Sequence, residues 1–524
     1  MSRSLLLVVA VLLALPASAQ AAFDVPAFSV TPSGLAAGSH PDVSVALQFG
    51  GDEHVRGVTL SLPPGLVGNP NATARCGASA FAADDCPAAA RIGTTSVVSR
   101  IALLSVLPVT ADGDVYNLQP GAGEPARLGV VVRPPLGADK VFIVARVALR
   151  PSDGGLDSII TGLPATIGTP LGDLDMRIES MTLTLLGRPA GAKLPFMTMP
   201  TSCRTATARV LARSDDGTAV SRSAPPFTPT ACGRLRFAPA LAASVTHDIK
   251  PAVRTVITGP AGNANTAAAA VTLPKGLAVN TAMLQSTCTL AQQEAGPCPA
   301  AARIGRAVAA SPLLPPLTGP VYLAQVPGRV LPGVRVDLSG VVDLSLTGSV
   351  DGNPLRTEFG GLPDVPLSRF ELTFDAGRGL LATKDFCRGR LPRIGAELTG
   401  HNGARATLRE PMTVTGCAQP VATLRVHGRR LRLRVKAARG GPALARVRLT
   451  LPKRLKVHPR RGHVTRGAKL TRRALKIPAG GARTVRATLS RGAFTGRLGK
   501  KRRLVLRTRD VTGHIERQRI RARR

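Results

Sequence analysis

The chain has 524 residues, of which 44% are apolar but only 3% aromatic, with no Trp and 2 Tyr. Lys and Arg number 69 against 31 Asp and Glu, and the resulting net charge of +38 excludes an average soluble enzyme. The mean hydropathy of +0.12 and clear patterning exclude simple disorder, while 54 Gly and 44 Pro favour turns over long helices. We therefore expect aliphatic cores with few aromatic platforms.

The N-terminus has the three parts of a secretory signal peptide. Met1-Ser2-Arg3-Ser4 is basic, residues 5–15 are apolar, and residues 16–21 provide a small-residue cleavage site. We expect cleavage after Ala21, so that 1–21 is a signal peptide; a buried N-terminal helix is the less favoured alternative because the apolar run is short. Since no second apolar stretch approaches the ~20 residues of a membrane helix, we expect a secreted or cell-envelope-associated protein without a transmembrane anchor.

An even number of cysteines follows, in two sets with matching spacing. The spacings within the sets are 10 and 29 residues, then 10 and 30 residues. After the second cysteine of each set, the sequence from Cys86 to Gly93 matches that from Cys298 to Gly305 in its Cys-Pro-Ala-Ala-Ala-Arg-Ile-Gly string. The chain is thus an internal duplication, which we divide into a repeat unit at 22–233 and a second at 234–418.

Eight cysteines allow 105 pairings, so the sequence alone leaves connectivity open. If each copy closes its own bonds, the expected disulfides are Cys76–Cys86, Cys203–Cys232, Cys288–Cys298 and Cys387–Cys417. Turn formers near the midpoint of each long pair, Asp215-Asp216-Gly217 and His401-Asn402-Gly403, predict that it closes the open end of a β-hairpin. Zinc binding or nucleophilic catalysis by these cysteines is less favoured, because the spacings of two to four residues typical of zinc ligands are missing.

Strand patterns dominate both copies. Apolar and polar residues alternate in most of the clearest runs, which suits sheets with one wet face. We predict an all-β fold class of tandem, antiparallel, Ig-like β-sandwich units, duplicated and held by disulfides. These runs lie at 43–47, 58–62, 141–145, 181–185, 334–338 and 370–374, and alternation is unclear only in the third.

The segment from Val421 to Arg524 contains 34 Lys and Arg against 2 Asp and Glu, a net of +32. It is patterned rather than structureless, because apolar and cationic residues alternate along Arg430–Lys436. We predict a third, strongly basic β-sandwich module at 419–524. Its expected anion-binding surface consists of Arg430, Arg432, Arg434, Lys436, Arg486, Arg507 and Arg509.

Residues 58–93 contain Leu-Pro-Pro-Gly-Leu-Val-Gly-Asn-Pro, from Leu62 to Pro70, and Cys-Pro-x-x-x-x-Ile-Gly, from Cys86 to Gly93. This unit resembles a recurring one in large secreted β-repeat proteins of high-GC actinobacteria. The segment from Val421 onward, with Leu-Pro-Lys-x-Leu, resembles the basic Ig-like module that often closes such chains. The resemblance implies architecture and export but no activity, and the second copy departs from it by lacking Val-Gly-Asn-Pro after Leu277.

Motifs of catalysis and of cofactor or metal binding are missing. The eight histidines show no His-Glu-x-x-His spacing, and there is no Gly-x-Ser-x-Gly or phosphate loop. Asp112-Gly113-Asp114 resembles a calcium-loop fragment, but we expect an ordinary turn. Tyr116 and Tyr322 are expected to fasten sandwich corners rather than to hold ligands. We therefore expect no enzyme activity, no cofactor and no metal.

These features favour a non-catalytic structural or adhesive protein, retained by charge on an anionic envelope polymer or lipid surface. The simplest alternative is a charged, solvated face without a partner. An extracellular enzyme or specific binder with a site assembled from loops of the first two units is a rival. Nucleic-acid binding is a lesser one, since interleaved aromatic residues are missing.

Overall fold

The computed structural model describes residues 22–102, 108–135, 137–387, 390–417, 419–428, 430–438, 441–452, 455–459, 464–465, 467–495, 503–511 and 513–523. The expected signal peptide lies outside these residues. The fold is all-β: three large sheets, each accompanied by a two-stranded sheet, occupy 24–223, 240–415 and 421–523 in succession. We refer to residues 22–233 as unit 1, 234–418 as unit 2 and 419–524 as the basic module.

Unit 1 is a single long sheet that curls around one aliphatic core. Its spatial order is β1-β2-β11-β5-β6-β7-β8-β9-β3-β13-β14, and its two end strands approach each other. A short helix, α1 (Ala78–Ala82), and a 3-10 turn at Ala88–Ala90 precede β5. The strands are β1 (Asp24–Pro32), β2 (Val43–Gly50), β3 (Val55–Ser61), β4 (Val67–Gly68), β5 (Arg91–Ile101), β6 (Val109–Leu118), β7 (Ala126–Arg133), β8 (Val141–Leu149), β9 (Leu156–Thr161), β10 (Thr166–Thr169), β11 (Gly172–Leu185), β12 (Met197–Thr198), β13 (Arg209–Ser214) and β14 (Ala219–Ser223).

Unit 2 repeats this topology strand for strand. Its order β15-β16-β24-β19-β20-β21-β22-β23-β17-β26-β27 matches that of unit 1, with β28 added parallel to β15. The duplication expected from the sequence is therefore present in the fold. The elements are β15 (Ala240–Thr246), β16 (Val253–Thr258), β17 (Thr266–Thr272), β18 (Leu277–Val279), α2 (Leu290–Ala295), β19 (Arg303–Ala310), β20 (Leu317–Ala324), β21 (Gly333–Leu338), β22 (Leu344–Asp351), β23 (Arg356–Phe359), β24 (Arg369–Phe374), β25 (Leu380–Ala382), β26 (Arg393–Gly400), β27 (Arg405–Pro411) and β28 (Thr413–Thr415).

The basic module is also one curled sheet, ordered β33-β34-β31-β37-β38-β29-β30-β35. Alternate residues point into a shared core of leucine, valine and isoleucine, so strands at the two ends of the order face each other across it. The strands are β29 (Val421–His427), β30 (Arg430–Lys436), β31 (Leu444–Thr450), β32 (Lys456–Val457), β33 (Lys469–Leu470), β34 (Ala474–Ala482), β35 (Thr484–Leu489), β36 (Phe494–Thr495), β37 (Arg503–Asp510) and β38 (Ile515–Arg523).

The run at 141–145 gave no clear alternation because both faces of its strand are apolar. In β8, Ile143 is buried, whereas Phe142 and Val144 are 38% and 43% exposed. Phe142 is not left alone, since its ring meets that of Phe81 edge-on at 5.5 Å between centroids. An apolar residue on the outer face thus packs against α1, which lies over the sheet.

The four expected disulfides are confirmed, with Cα–Cα distances of 5.3 to 6.0 Å. The long pairs close the β13–β14 and β26–β27 hairpins. Gly217 and Gly403 supply the positive φ of the two turns, 89° and 81°. The two short disulfides enclose α1 and α2, and each of these disulfides packs beside a tyrosine.

The two tyrosines are scaffold residues. Tyr116 and Tyr322 are 8% and 7% exposed, and each packs against the short disulfide of its own unit. Burial raises the pKa of the Tyr322 hydroxyl. Neither ring is open enough for a ligand to stack on it, which favours the structural interpretation.

Units 1 and 2 are joined by a buried carboxylate. Asp364 of unit 2 is 4% exposed, and its Oδ2 atom accepts a hydrogen bond of 2.9 Å from the backbone N–H of Thr201 in unit 1. The side-chain amide of Asn265 donates to the same carboxylate, also at 2.9 Å. Because a buried carboxylate needs such donors, this contact fixes the two units against each other.

Candidate anion-binding surface

The cationic residues of the basic module lie on the outer face of its curled sheet. Leu431, Leu433 and Val435 of β30 are buried, and the residues between them are exposed. The same alternation holds in β31, β35 and β37. Since neighbouring strands are paired throughout the order, all these exposed residues share one continuous outer face.

Strand register aligns four cations side by side. Lys476 of β34 pairs with Arg448 of β31, which pairs with Arg507 of β37, which pairs with Arg517 of β38. We name these residues the four-cation row. With neighbouring strands about 4.8 Å apart, the row spans about 14 Å across the sheet. Arg446 pairs with Arg509 on the next row of the same face.

A second cluster lies further along the outer face. Arg425 of β29 pairs with Arg432 of β30 on one side and with Arg523 of β38 on the other. Arg434 of β30 pairs with Arg486 of β35. Like charges directly opposite each other destabilise a sheet, so each of these pairs lowers the stability of the module unless an anion neutralises it.

All seven residues expected at the surface are exposed, but they form two groups. Five of them belong to the second cluster or flank it: Arg430, Arg432, Arg434 and Lys436 on β30, and Arg486 on β35. Arg507 and Arg509 lie on β37, which β38 and β29 separate from β30. The two groups therefore lie at different places on the outer face of the curled sheet.

Sequence reasoning missed most of the four-cation row. Lys476, Arg448 and Arg517 were not selected, although Arg446-Val447-Arg448-Leu449 and residues 517–523 both alternate cationic with other residues. This period of two was the available signal. What it could not show was that β31, β37 and β38 are neighbours, because their order in space differs from their order in the chain.

The structure places the module's two carboxylates away from these cations. Asp510 and Glu516 both lie at the seam with unit 2, where His247 Nε2 is 2.9 Å from Asp510 Oδ2 and His514 Nε2 is 3.5 Å from Glu516 Oε2. Across the described part of the module, no arginine or lysine of the rows forms an ion pair with a carboxylate. The positive charge of the outer face is therefore available to an external partner.

The seam also fixes how the module sits on unit 2. His514 Nδ1 of the module is 2.7 Å from Asp385 Oδ2 of unit 2, and the rings of His514 and His247 meet edge-on at 5.4 Å between centroids. His247 is almost completely buried, with a side chain 2% exposed. Reciprocal histidine–carboxylate contacts thus tie the basic module to the end of unit 2.

One group of side chains at this seam has ligand atoms close enough to hold a metal ion. Single ligand atoms of His247, Asp385 and Cys387 lie within 4.8 Å of one another. The sulfur of Cys387, however, is bonded to that of Cys417, so that it offers no thiolate. We assign no ion to this group.

The prediction of a turn at Asp112-Gly113-Asp114 is wrong, because these residues form the middle of β6. A Cβ on Gly113 would lie 2.1 Å from the carbonyl oxygen of Val131, so glycine is required for close strand packing. Asp114 accepts from Arg91 Nε and Arg133 Nη1, both at 2.8 Å. A carboxylate already bound by two guanidinium groups is poorly placed to hold calcium.

Carboxylates converge at one end of unit 1, as an enzyme site there would require. His54 lies 3.0 Å from Asp175 and 3.1 Å from Asp215. The hydrogen bond that Glu53 shares with the Asp215 carboxylate raises the pKa of Glu53. The side chains of Asp175 and Asp215 are 60% and 39% exposed, however, so the cluster lies in solvent rather than in a water-excluding cleft.

The fold and surface thus define an all-β, duplicated, disulfide-linked protein with a cationic terminal module. No protein-family model and no curated protein matches the chain. One solved structure with a detectable likeness is an α2-macroglobulin of Escherichia coli activated by porcine elastase, at 11% identity and TM-score 0.13. The match covers 95% of this chain but only 44% of the macroglobulin. Another is a protein of Corynebacterium diphtheriae described as membrane-anchored, at 8% identity and TM-score 0.15, with 96% of this chain and 94% of that chain covered.

A third such structure is the type II cohesin dyad from the adaptor ScaA scaffoldin of Acetivibrio cellulolyticus, at 9% identity and TM-score 0.15, with 74% of this chain and 96% of that chain covered. These likenesses are too distant to carry an argument about function. Among the described residues, no helix has the length and apolarity needed to cross a membrane.

Proposed function

We propose that this protein is an exported, non-catalytic structural or adhesive protein that its basic module holds on an anionic surface of the cell envelope. The observation that carries the proposal is the outer face of the module, on which exposed arginines and lysines stand side by side without carboxylate partners among the described residues. A solvated face that served solubility alone would tolerate both signs of charge, and its cations need not be aligned across four strands.

The partner in this proposal is an extended polyanion or an anionic lipid surface. Such partners present many negative charges at spacings that a row of cations can match, and near an anionic membrane each Lys or Arg contributes about 1 kcal/mol. The four disulfides and the apolar cores of units 1 and 2 suit a rigid extension outside the cell. Nucleic acid is a lesser candidate, since the rows have no interleaved aromatic side chains for base stacking.

The test is adsorption of the full chain to vesicles of phosphatidylglycerol and phosphatidylcholine, and to a soluble polyanion such as polyphosphate, over a salt series. We expect tight adsorption at about 0.05 M salt and release at about 0.5 M, because salt screens exposed charges within a few ångströms at the higher concentration. Adsorption that is indifferent to salt, or equal on vesicles of pure phosphatidylcholine, would contradict the proposal.

A further inference from the structure

Unit 2 contains an internal cavity that the proposed function does not use. It has a volume of about 90 Å³ and lies between strands of the curled sheet. Its walls come mainly from β16, β17, β23 and β24, with single residues from β22 and β26. No charged residue lines it. The lining residues central to the argument are Thr255, Ala269, Val271, Thr357, Phe359 and Leu372.

Two buried hydroxyl groups interrupt this apolar wall. Thr255 and Thr357 are 6% and 9% exposed, so both are more than nine-tenths buried. Strand periodicity turns Thr255 inward with Val253, and Thr357 pairs across the sheet with Val271, another lining residue. Neither hydroxyl makes a hydrogen bond within the described part of the chain. A buried hydroxyl without a partner is unfavourable, which indicates that something in the cavity accepts from it or donates to it.

The duplicate unit provides an internal comparison. In unit 2 Thr255 pairs with Leu372, and in unit 1 the matching strands pair Val45 with Leu183. Ala269 pairs with Phe359, and the matching pair of unit 1 is Val58 with Ile160. Val45 and Val58 are both buried in the unit 1 core. Thr255 is thus more polar than Val45 and Ala269 is smaller than Val58, whereas Leu372 is the same residue as Leu183 and Phe359 is larger than Ile160.

Water alone is a poor occupant for such a cavity. Water can bond the threonine hydroxyls, but it makes no favourable contact with the rest of the wall, which is apolar. A charged ligand is also disfavoured, because no opposite charge lines the cavity. A neutral molecule with an apolar body and one oxygen satisfies both the wall and the hydroxyls.

We propose that this cavity is a binding site for a short neutral aliphatic molecule with a single oxygen-containing group, an alcohol or an ester, or for the end of a longer chain of that kind. At roughly 30 Å³ per water-sized group, the volume holds about three such groups, so a ligand with a longer body extends out of the cavity. The cavity is not fully closed, since several lining residues, among them Thr266, Leu362 and Phe370, are partly exposed. Thr255 and Thr357 form hydrogen bonds to the oxygen of the ligand.

The experiment titrates the full chain, selectively labelled at Leu and Val methyl groups, with butan-1-ol, methyl butanoate, butane and butanoate. Thr255→Val removes one hydroxyl with little change of volume, and Ala269→Leu fills the cavity. Each variant has a matched control: Thr373→Val removes another buried, unpartnered hydroxyl from the opposite face of β24, and Ala268→Leu adds the same bulk on the outward face of β17.

We expect butan-1-ol to shift the methyl signals of Val271 and Leu372 saturably. Thr255→Val should weaken its binding about three- to tenfold, the range that one hydrogen bond accounts for, and Thr373→Val should not. Ala269→Leu should abolish binding while Ala268→Leu retains it. Saturable shifts with methyl butanoate as well would point to esters as natural ligands, and their absence would restrict the site to alcohols.

Three results would overturn this inference. The first is the lack of a saturable shift with both butan-1-ol and methyl butanoate, and the second is an unchanged affinity for butan-1-ol in Thr255→Val. The third is binding of butane or of butanoate as tight as that of butan-1-ol. If Ala269→Leu fails to fold, Thr255→Val still decides between the outcomes. The result is independent of the basic module, so the proposed attachment to anionic surfaces can fail while this site stands.

Discussion

Neutralising the four-cation row should release the protein from anionic vesicles. In the variant, Lys476, Arg448, Arg507 and Arg517 are all replaced by Gln, which keeps the length and polarity of the side chains. At about 1 kcal/mol for each cation near an anionic membrane, the four changes remove up to about 4 kcal/mol of binding free energy. Since 1.4 kcal/mol corresponds to a factor of ten, the partition coefficient should fall by nearly three powers of ten at low salt.

The control removes four exposed arginines of units 1 and 2 instead. Arg209, Arg213, Arg405 and Arg409 have no ion-pair partner among the described residues, and replacing them by Gln lowers the net charge of the chain equally. Cosedimentation with phosphatidylglycerol vesicles at about 0.1 M salt, where the screening length is about 10 Å, measures both variants. Equal losses in the two variants would show that net charge, rather than the row, holds the protein, and would refute the reasoning.

The same row variant should also be more stable than the natural chain in the absence of a polyanion. Three pairs of opposed like charges disappear from the sheet, and each such pair costs about 0.2 to 1 kcal/mol. Thermal unfolding at low salt, followed by circular dichroism, therefore distinguishes lost binding from lost folding. A lower unfolding temperature in the variant would contradict this account.

Three further predictions concern units 1 and 2 and the seam. The hydrogen bond from Arg254 lowers the pKa of Glu371 to about 2, so its contribution to stability is present above about 4.5 and is lost as the pH falls towards 2; Glu371→Gln should flatten this part of an acid-unfolding curve. Replacing Cys387 and Cys417 by Ala should lower the free energy of unfolding by about 3 to 4 kcal/mol in the chain-entropy model, measured with urea, and a loss near zero would contradict it. His514→Ala should speed limited proteolysis between unit 2 and the module, and an unchanged cleavage rate would show that the seam does not depend on this histidine.

Much of the fold could be predicted because its signals are local or repeated. Alternation in runs such as Val43–Leu47 predicts strands, since side chains on a strand point to opposite faces by turns. The repeated spacing predicted all four disulfides, because a duplicated unit closes its own bonds. Both pieces of reasoning require only neighbours in sequence or a comparison of one copy with the other.

What could not be predicted depends on contacts between distant residues. His247 meets Asp510 across 263 positions of the chain, and nothing local marks either residue as a seam contact. Asp112-Gly113-Asp114 has the composition of a turn, yet it lies in a strand because the backbone of β7 approaches Gly113 too closely for any side chain. The four-cation row depends on strand order, which a period of two does not contain.

The crowded outer face of the basic module also affects how copies of the protein meet. Two modules that approach by their outer faces repel each other, and Arg486 brings the same repulsion to the edge strand β35, where an unprotected sheet would be open to pairing with a neighbour. Contact between copies through these faces requires a bridge of opposite charge. On the proposed anionic surface of the cell envelope, the number of protein copies per unit area is then limited by the number of negative groups. It is not limited by a tendency of the protein to associate with itself.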